Sequence, residues 1–425
     1  MNIKFPLLVA LNLIVFNSGV TMGGEITRGQ GVINRAKTDY TPVGIRAGAF
    51  KLLPTLSSEN EWRDNIYSSQ FNTVDDFIFH IKPALAVQSD WNRHALTFIL
   101  DSDLQSYASR DSEDKENYSF NLNGQFDVLK NSFAHTKLLY ANQYEDRGQA
   151  TSVFGDPSSG FIALKPTNFQ SVEASLGYEH KINRIRFNLD NDTTHLHYQN
   201  GIAPITFAII DNDKNRSRLR NETSFRIGYE INPNYEAFLK TSYNFIDYDS
   251  QFGTDGLQRS SIGYSGVTGI ALDLTGKLTG DAYVGYQLQD YKDSQLTTVS
   301  GLTGGLGLKW SPTGLTSVKT NIDRSINETV QGLTSGVFST AMTVGVDHEL
   351  LRNIILSANG GYTINEYQGG NDRLENVYSA GFSAKYLVNR HFYLTSGYRT
   401  NTRSTNIANT DYDANSLYLT IGSQL

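Results

Sequence analysis

Charged side chains recur at every second position through long stretches of this 425-residue chain, and they are the first candidates for chemistry. Lys82, Lys137, Arg186, Arg220, Arg226, Lys240, Lys319, Lys385 and Arg399 fall on the polar parity of their segments. So do Asp101, Asp103, Asp127, Glu173, Glu179, Asp190, Glu222, Glu230, Glu236, Asp281 and Asp323. Such a set can pair across neighbouring strands and hold a polar interior together, or it can tune the selectivity of a conduit, as rings of charge do in pores. Tyr283, Tyr393 and Tyr418 share that parity, where an aromatic face can slide against the C–H face of a sugar ring or simply fill space.

Other constellations carry less. His195-Leu196-His197 sets two imidazoles on one strand face, a spacing that can hold a metal, but no third ligand stands at a fixed distance. A rim position is therefore expected rather than a metal site. Gly304-Gly305-Leu306-Gly307 lies in an alternating segment before Trp310, not at a strand-to-helix turn, which argues against a phosphate loop. There is no Gly-x-Ser-x-Gly elbow and no Ser/His/Asp set stands out, so no enzyme and no cofactor is expected. The enzymatic alternative is an outer-membrane lipase-like barrel with its residues on scattered strands. With no cysteine, disulfides, thiolate metal sites, a Cys nucleophile and a lipoprotein anchor are excluded. A net charge of -7 without a basic stripe argues against nucleic acid as a partner.

The elements that must position these residues are strands. Phe77, Phe79, Ile81, Leu85 and Val87 alternate with Asp76, His80, Lys82 and Gln88, and Pro83 is the one residue of the apolar parity unable to donate to a ladder. The same alternation runs through Tyr118 to Val128, Ala282 to Leu288 and Tyr378 to Val388. A one-residue slip would put the polar set into hydrocarbon, so the registers are strongly specified. No helical stretch intervenes, and no apolar run is long enough to span a membrane as a helix, which leaves a closed barrel as the spanning structure. Mean hydropathy is only -0.37, as expected when every second residue meets lipid. Aromatics make up 12% of the chain and include 24 tyrosines, the composition of interfacial girdles. A soluble tyrosine-rich solenoid would need a fixed-period repeat, and none is found.

Turn signals divide the chain further. Eight short turns, the first at residues 89–93, alternate with nine longer polar connections, which implies an all-β, antiparallel up-and-down transmembrane barrel of about eighteen strands with both termini periplasmic. The longest connection, residues 147–168, contains Phe154-Gly155-Asp156-Pro157-Ser158-Ser159-Gly160-Phe161 and is expected either to fold inward as a constriction or to lie on the surface. Lys4, the apolar run Pro6 to Phe16 and the small residues up to Gly24 read as a cleaved signal peptide, residues 1–23. Residues 24–44 then form a periplasmic lead-in and 45–425 the barrel. The last strand, Leu417 to Leu425, resembles the signal read by outer-membrane assembly machinery, with Leu425 in place of the usual Phe.

Pro42-Val43-Gly44-Ile45-Arg46, Gly48, Phe50, Pro54, Asp64-Asn65, Pro83 and Ser89-Asp90-Trp91-Asn92-Arg93-His94 together resemble the opening signature of a β-barrel porin family encoded in exopolysaccharide and capsule gene clusters. The resemblance covers about fifty residues. It implies an outer-membrane protein of a Gram-negative bacterium, surrounded by lipid and lipopolysaccharide, that passes a polysaccharide from a periplasmic export protein to the surface. The alternatives are a general diffusion porin and a structural or adhesive barrel with a blocked lumen. Oligomeric state is left open. Within the signature, Asp64-Asn65 is expected at the outer end of the first strand. Asp90 and Asn92 are expected to cap the first periplasmic turn, with Trp91 in the inner girdle. That turn, with the segment from Pro42 to Gly48, is also a candidate docking surface for the export partner.

Overall fold

The computed structural model describes residues 31–33, 35, 37, 39–148, 164–203, 208–274, 276–370 and 372–425. The expected signal segment lies outside them. The period-two pattern becomes one closed antiparallel sheet of eighteen long strands. In chain order these are β1 (Phe50–Arg63), β2 (Asp76–Ser89), β3 (Ala95–Tyr107), β4 (Lys115–Leu129), β5 (Ser132–Tyr144), β6 (Asn168–Ile182), β7 (Ile185–Tyr198), β8 (Arg218–Asn232) and β9 (Tyr235–Tyr248). The circuit continues through β10 (Ser261–Leu274), β11 (Leu278–Tyr291), β12 (Val299–Thr313), β13 (Thr316–Asn327), β14 (Gly336–Leu351), β15 (Ile354–Gln368), β16 (Leu374–Leu387), β17 (Phe392–Thr405) and β18 (Tyr412–Gln424). Strand β1 pairs with β2 on one side and with β18 on the other, from Thr55 opposite Gln424 to Arg63 opposite Ser416, which closes the ring.

Eight short turns and nine longer connections alternate as the sequence implies. Asn183 takes the left-handed conformation (φ 52°) in the tight turn between β6 and β7, a conformation Asn tolerates better than most residues. Pro83 leaves its mark: the β2–β3 ladder runs to Ile81 opposite Leu104 and resumes only at Ala84 opposite Asp101, because proline has no N–H to give. Outward positions are apolar and exposed, as at Phe77, Phe79 and Ile81, whereas the intervening Asp76, Ile78 and His80 are buried. Apolar packing inside is confined to small clusters near the two ends, such as Leu257 with Tyr291, Leu296, Val299 and Phe338, and Val32 with Ile355 and Leu387. Among the described residues no helix is long and apolar enough to cross a membrane. The helix Asn212–Arg216 sits in the β7–β8 connection, where Asp211 accepts from the Lys214 N–H.

The signature residues sit at the seam and at the first periplasmic turn. Asp64, just past β1, accepts from the backbone N–H of Asn415 at 2.7 Å and from its side-chain amide. Asn65, 1% exposed, donates to the carbonyls of Ser69 and Asp413. The Pro54 carbonyl accepts from Leu425. These contacts tie the first strand to the last. At the other end Phe50 meets Trp91 edge to face at 5.6 Å, and Arg46 pairs with Asp90 at 2.9 Å. His94 Nδ1 lies 3.2 Å from the Asp127 N–H. Gly44 is left-handed (φ 74°), and a Cβ there would lie 2.7 Å from the Leu52 carbonyl. It lets the short strand Ile45–Ala47 fold back against Phe50 to Leu52.

Candidate functional site in the barrel lumen

The inner faces of β1 to β9 carry a wall of paired ions. Lys82 meets Glu59 at 3.1 Å, Lys137 meets Glu173 at 2.5 Å, and Arg220 meets Glu222 at 3.0 Å. Arg186 joins Glu179 at 2.5 Å and Glu236 at 2.9 Å, and Arg226 also reaches Glu236 at 2.6 Å. His135 lies 3.0 Å from Asp190, and Asp101 accepts from Ser119 at 2.7 Å. Arg399 on β17 extends this wall across the seam to Glu59 and Glu61 on β1, at 3.5 and 3.4 Å. Contacts from β7 to β9 and from β17 to β1 leap over an intervening strand, which only the concave side permits. Asp127 stands at the periplasmic end of β4.

Glu59 and Glu61 are carriers of this wall that the sequence reading did not single out, although Ser57, Glu59, Glu61 and Arg63 alternate legibly. With His80 they form a close buried triple that could in principle ligate a metal. Lys82, Arg63 and Arg399 already neutralise those carboxylates, and His80 leans on Asp103 at 2.9 Å. The triple is therefore part of the ion-pair network. His195 and His197 point outward near the rim and pair with different carboxylates, Asp249 at 3.1 Å and Asp213 at 3.3 Å. They form no shared site.

From β10 to β17 the middle of the inner face is different. Ser265, Gly285, Gln287, Thr343, Gly345, Asn359, Gly361, Ser379, Gly381 and Gly397 occupy the positions that ions occupy on the other side. Aromatic rings lie flat on glycines of the adjoining strand: Tyr283 over Gly305, Tyr418 over Gly397, Tyr393 over Gly422 and Phe238 over Gly269. Three of these rings are covered by a cation, Tyr418 by Arg399 at 3.8 Å, Tyr393 by Lys385 at 4.0 Å and Phe238 by Arg226 at 4.2 Å. Tyr283 donates to Asp323 at 2.9 Å. Lys240 on β9 and Lys319 on β13, unlike Lys82 and Lys137, form no salt bridge among the described residues.

Both mouths are narrowed. At the outer one, Tyr198, Tyr248, Tyr367 and Tyr412 are buried at the strand ends, each under an arginine: Arg216, Arg218, Arg373 and Arg403 respectively. None of these tyrosines was singled out in the sequence, where a strand-end tyrosine reads equally as a lipid-facing girdle residue. Arg403 also donates to the Gly148 carbonyl, and Arg147 pairs with Glu113 at 2.5 Å, so the start of the longest connection turns inward over the mouth. Phe154 to Phe161 lie outside the described residues. Glu328, in the β13–β14 connection, accepts from the Tyr248 hydroxyl at 3.3 Å, and burial there pushes its carboxyl above the usual range against the pull of Arg218. At the inner mouth the described residues between 31 and 40 form a strap. The Val32 N–H donates to Ser317, Val32 packs on Ile355 and Leu387, Lys37 pairs with Glu349 at 2.7 Å, and the Tyr40 carbonyl accepts from Gln424. The strap thus crosses the periplasmic ends of β13 to β18.

Among solved structures, the siderophore receptor PirA from Acinetobacter baumannii shares 7% identity over 88% of this chain and 80% of its own, with a TM-score of 0.46. The outer membrane protein OpdK from Pseudomonas aeruginosa shares 9% over 88% of this chain and 99% of its own, with a TM-score of 0.43. The copper transporter OprC shares 11% over 90% and 81%, with a TM-score of 0.45. No curated protein matches the chain. The model of the family described as "Putative beta-barrel porin 2" matches residues 37–425, nearly the whole eighteen-stranded structure, so the chain belongs to that family and is a porin-like barrel of the Gram-negative outer membrane.

Proposed function

We propose that the barrel exports a hydroxyl-rich polymer, an exopolysaccharide or capsular polysaccharide, through its polar lumen. The observation that supports this best is the middle of the wall of β10 to β17, sparse in charge, where hydroxyls, amides and bare glycine backbone line most of the path. Such a surface offers a neutral polymer hydrogen bonds to exchange along its length with few charges to hold it in one place. The resemblance of the stretch from Pro42 to His94 to porins of polysaccharide gene clusters points the same way. Exposed Val43, Ile45 and Trp91 beside the Arg46–Asp90 pair give a periplasmic export protein an apolar patch to dock on.

A general diffusion porin is the second reading, favoured by the family's porin description. Deleting the gene and assaying cell-surface polysaccharide alongside uptake of small hydrophilic solutes separates them. Loss of polymer with unchanged uptake is the result expected. Normal polymer with reduced uptake would establish the porin.

A further inference from the structure

Resting on that reading and deepening it, we propose that the inner face of β11 to β13 holds a binding station for one neutral, hydroxylated sugar ring, with Tyr283 as its platform and Asp281 as its free acceptor. The register builds the station in rows. Tyr283, Gly305 and Asp323 stand side by side on the three strands, and Asp281, Gly307 and Asn321 form the next row. Strands lie about 4.8 Å apart and alternate inward positions about 7 Å apart. The two glycines therefore open about 10 Å between the flanking side chains, a space that the Tyr283 ring floors at Gly305 and that stays open at Gly307.

Two observations point to a ligand there. The first is the pose of Tyr283. Its hydroxyl reaches across β12 to Asp323, so the ring must lie down along the wall, and a Cβ at Gly305 would come within 2.5 Å of its Cζ and Oη. A side chain at 305 is thereby excluded and the ring's face turns into the lumen. The rings of Tyr418, Tyr393 and Phe238, laid on glycines in the same way, are capped by cations, while Tyr283 has no cation over it among the described residues. The second is Asp281. The residue as a whole is only 8% exposed, but its carboxylate oxygens are not sealed off; they make no hydrogen bond or salt bridge with any described residue, and Arg226 and Lys240 act on them only through space. Its accepting capacity is therefore open to a donor arriving from the lumen.

A sugar ring matches both features: its C–H face is apolar and its rim carries O–H donors. Stacked on Tyr283, such a ring would offer hydroxyls to Asp281 and to the Asn321 amide, beside an Asp323 carboxylate already held by Tyr283 and Ser325. Two carboxylates at the rim disfavour an anionic unit and select a neutral one.

The full mature barrel, purified in detergent micelles and titrated calorimetrically with maltohexaose, tests this. Wild type binds; Tyr283→Ala and Asp281→Asn each weaken binding by about tenfold, the loss expected for one stacked or hydrogen-bonded group. Tyr283→Phe, which keeps the platform, weakens it less, and Asp101→Asn on the charged wall leaves it unchanged. Heat-modifiable migration confirms that each variant is assembled, and Asp281→Asn preserves the test if Tyr283→Ala fails to assemble. Wild type that does not bind maltohexaose, or binding untouched by both Tyr283→Ala and Asp281→Asn, overturns the station. Loss of surface polysaccharide on gene deletion combined with that result leaves the export reading standing. Binding that needs Tyr283, in a strain whose polysaccharide survives deletion, overturns export and leaves the station.

Discussion

The wall of β1 to β9 and the wall of β10 to β17 are built from the same strands, turns and outward apolar faces, and differ in what they turn inward. The first neutralises its own charges, with Glu59, Glu61, Lys82 and Arg399 forming one network and Glu179, Arg186, Arg226 and Glu236 another. Charges so engaged have little left to offer a solute. The second carries few charges in its middle, and Asp281 and Lys319 there form no salt bridge among the described residues, Arg226 and Lys240 acting on Asp281 only through space. Counting charges in a pore therefore says less than asking which are already engaged with one another.

The strap gives the largest handle on this comparison, because its described contacts at the periplasmic end fall on β13 to β18. Deleting residues 31–40 should raise single-channel conductance several-fold in planar bilayers. An unchanged conductance would mean that current already bypasses the second wall. On the first wall, Arg399→Ala removes the cation shared by Glu59 and Glu61 across the seam. Breaking a buried pair costs about 3–5 kcal/mol; Arg399 is 38% exposed, so a loss of about 2 kcal/mol is expected, read as a lower midpoint for heat-modifiable migration. A midpoint equal to wild type would show that the paired ions do not hold the ring.

Gly305→Ala sharpens the contrast from the other wall. The added methyl meets the Tyr283 ring and forces it from the wall, with a stability loss of about 1 kcal/mol and weakened block of current by maltohexaose. Gly345, with nothing within 4 Å of a Cβ, should accept alanine without either effect. The smallest effect concerns pH at the outer mouth. The Glu328 carboxyl has its value raised by burial when the β13–β14 connection is closed, so closure is favoured as pH falls through that raised value and weakened as pH rises through it. Conductance should therefore drop modestly on mild acidification, and Glu328→Gln should flatten the profile.

The barrel was legible because its signal is redundant. Alternation such as Phe77, Phe79, Ile81 against Asp76, His80, Lys82 recurs in strand after strand, and the turns alternate short and long, so eighteen strands follow from local rules alone. Parity also put Asp281, Tyr283 and Asp323 on the inner face. What it could not show is which charges meet, since Arg399 finds Glu59 only when the ring closes and Arg186 finds Glu236 by crossing β8. The strap was read as a periplasmic lead-in because its seat on Ile355, Leu387 and Ser317 lies some three hundred residues away along the chain. The tyrosine and arginine pairs of the outer mouth were hidden for the same reason: Arg403 meets Gly148 only across the mouth.

On the proposed function, solute travels along the second wall while the first holds the barrel. The chain has no cysteine, so single thiols can be placed on either wall without background. Thiols at Ser265, Asn359 or Ser379 and, for comparison, at Asn123 or Ser175 can each be tagged with a bulky neutral reagent while maltohexaose flux through the purified barrel is followed in liposomes. Tags at the first three positions should cut the flux sharply and tags at the other two should leave it near wild type; equal losses on both walls would contradict the division of labour.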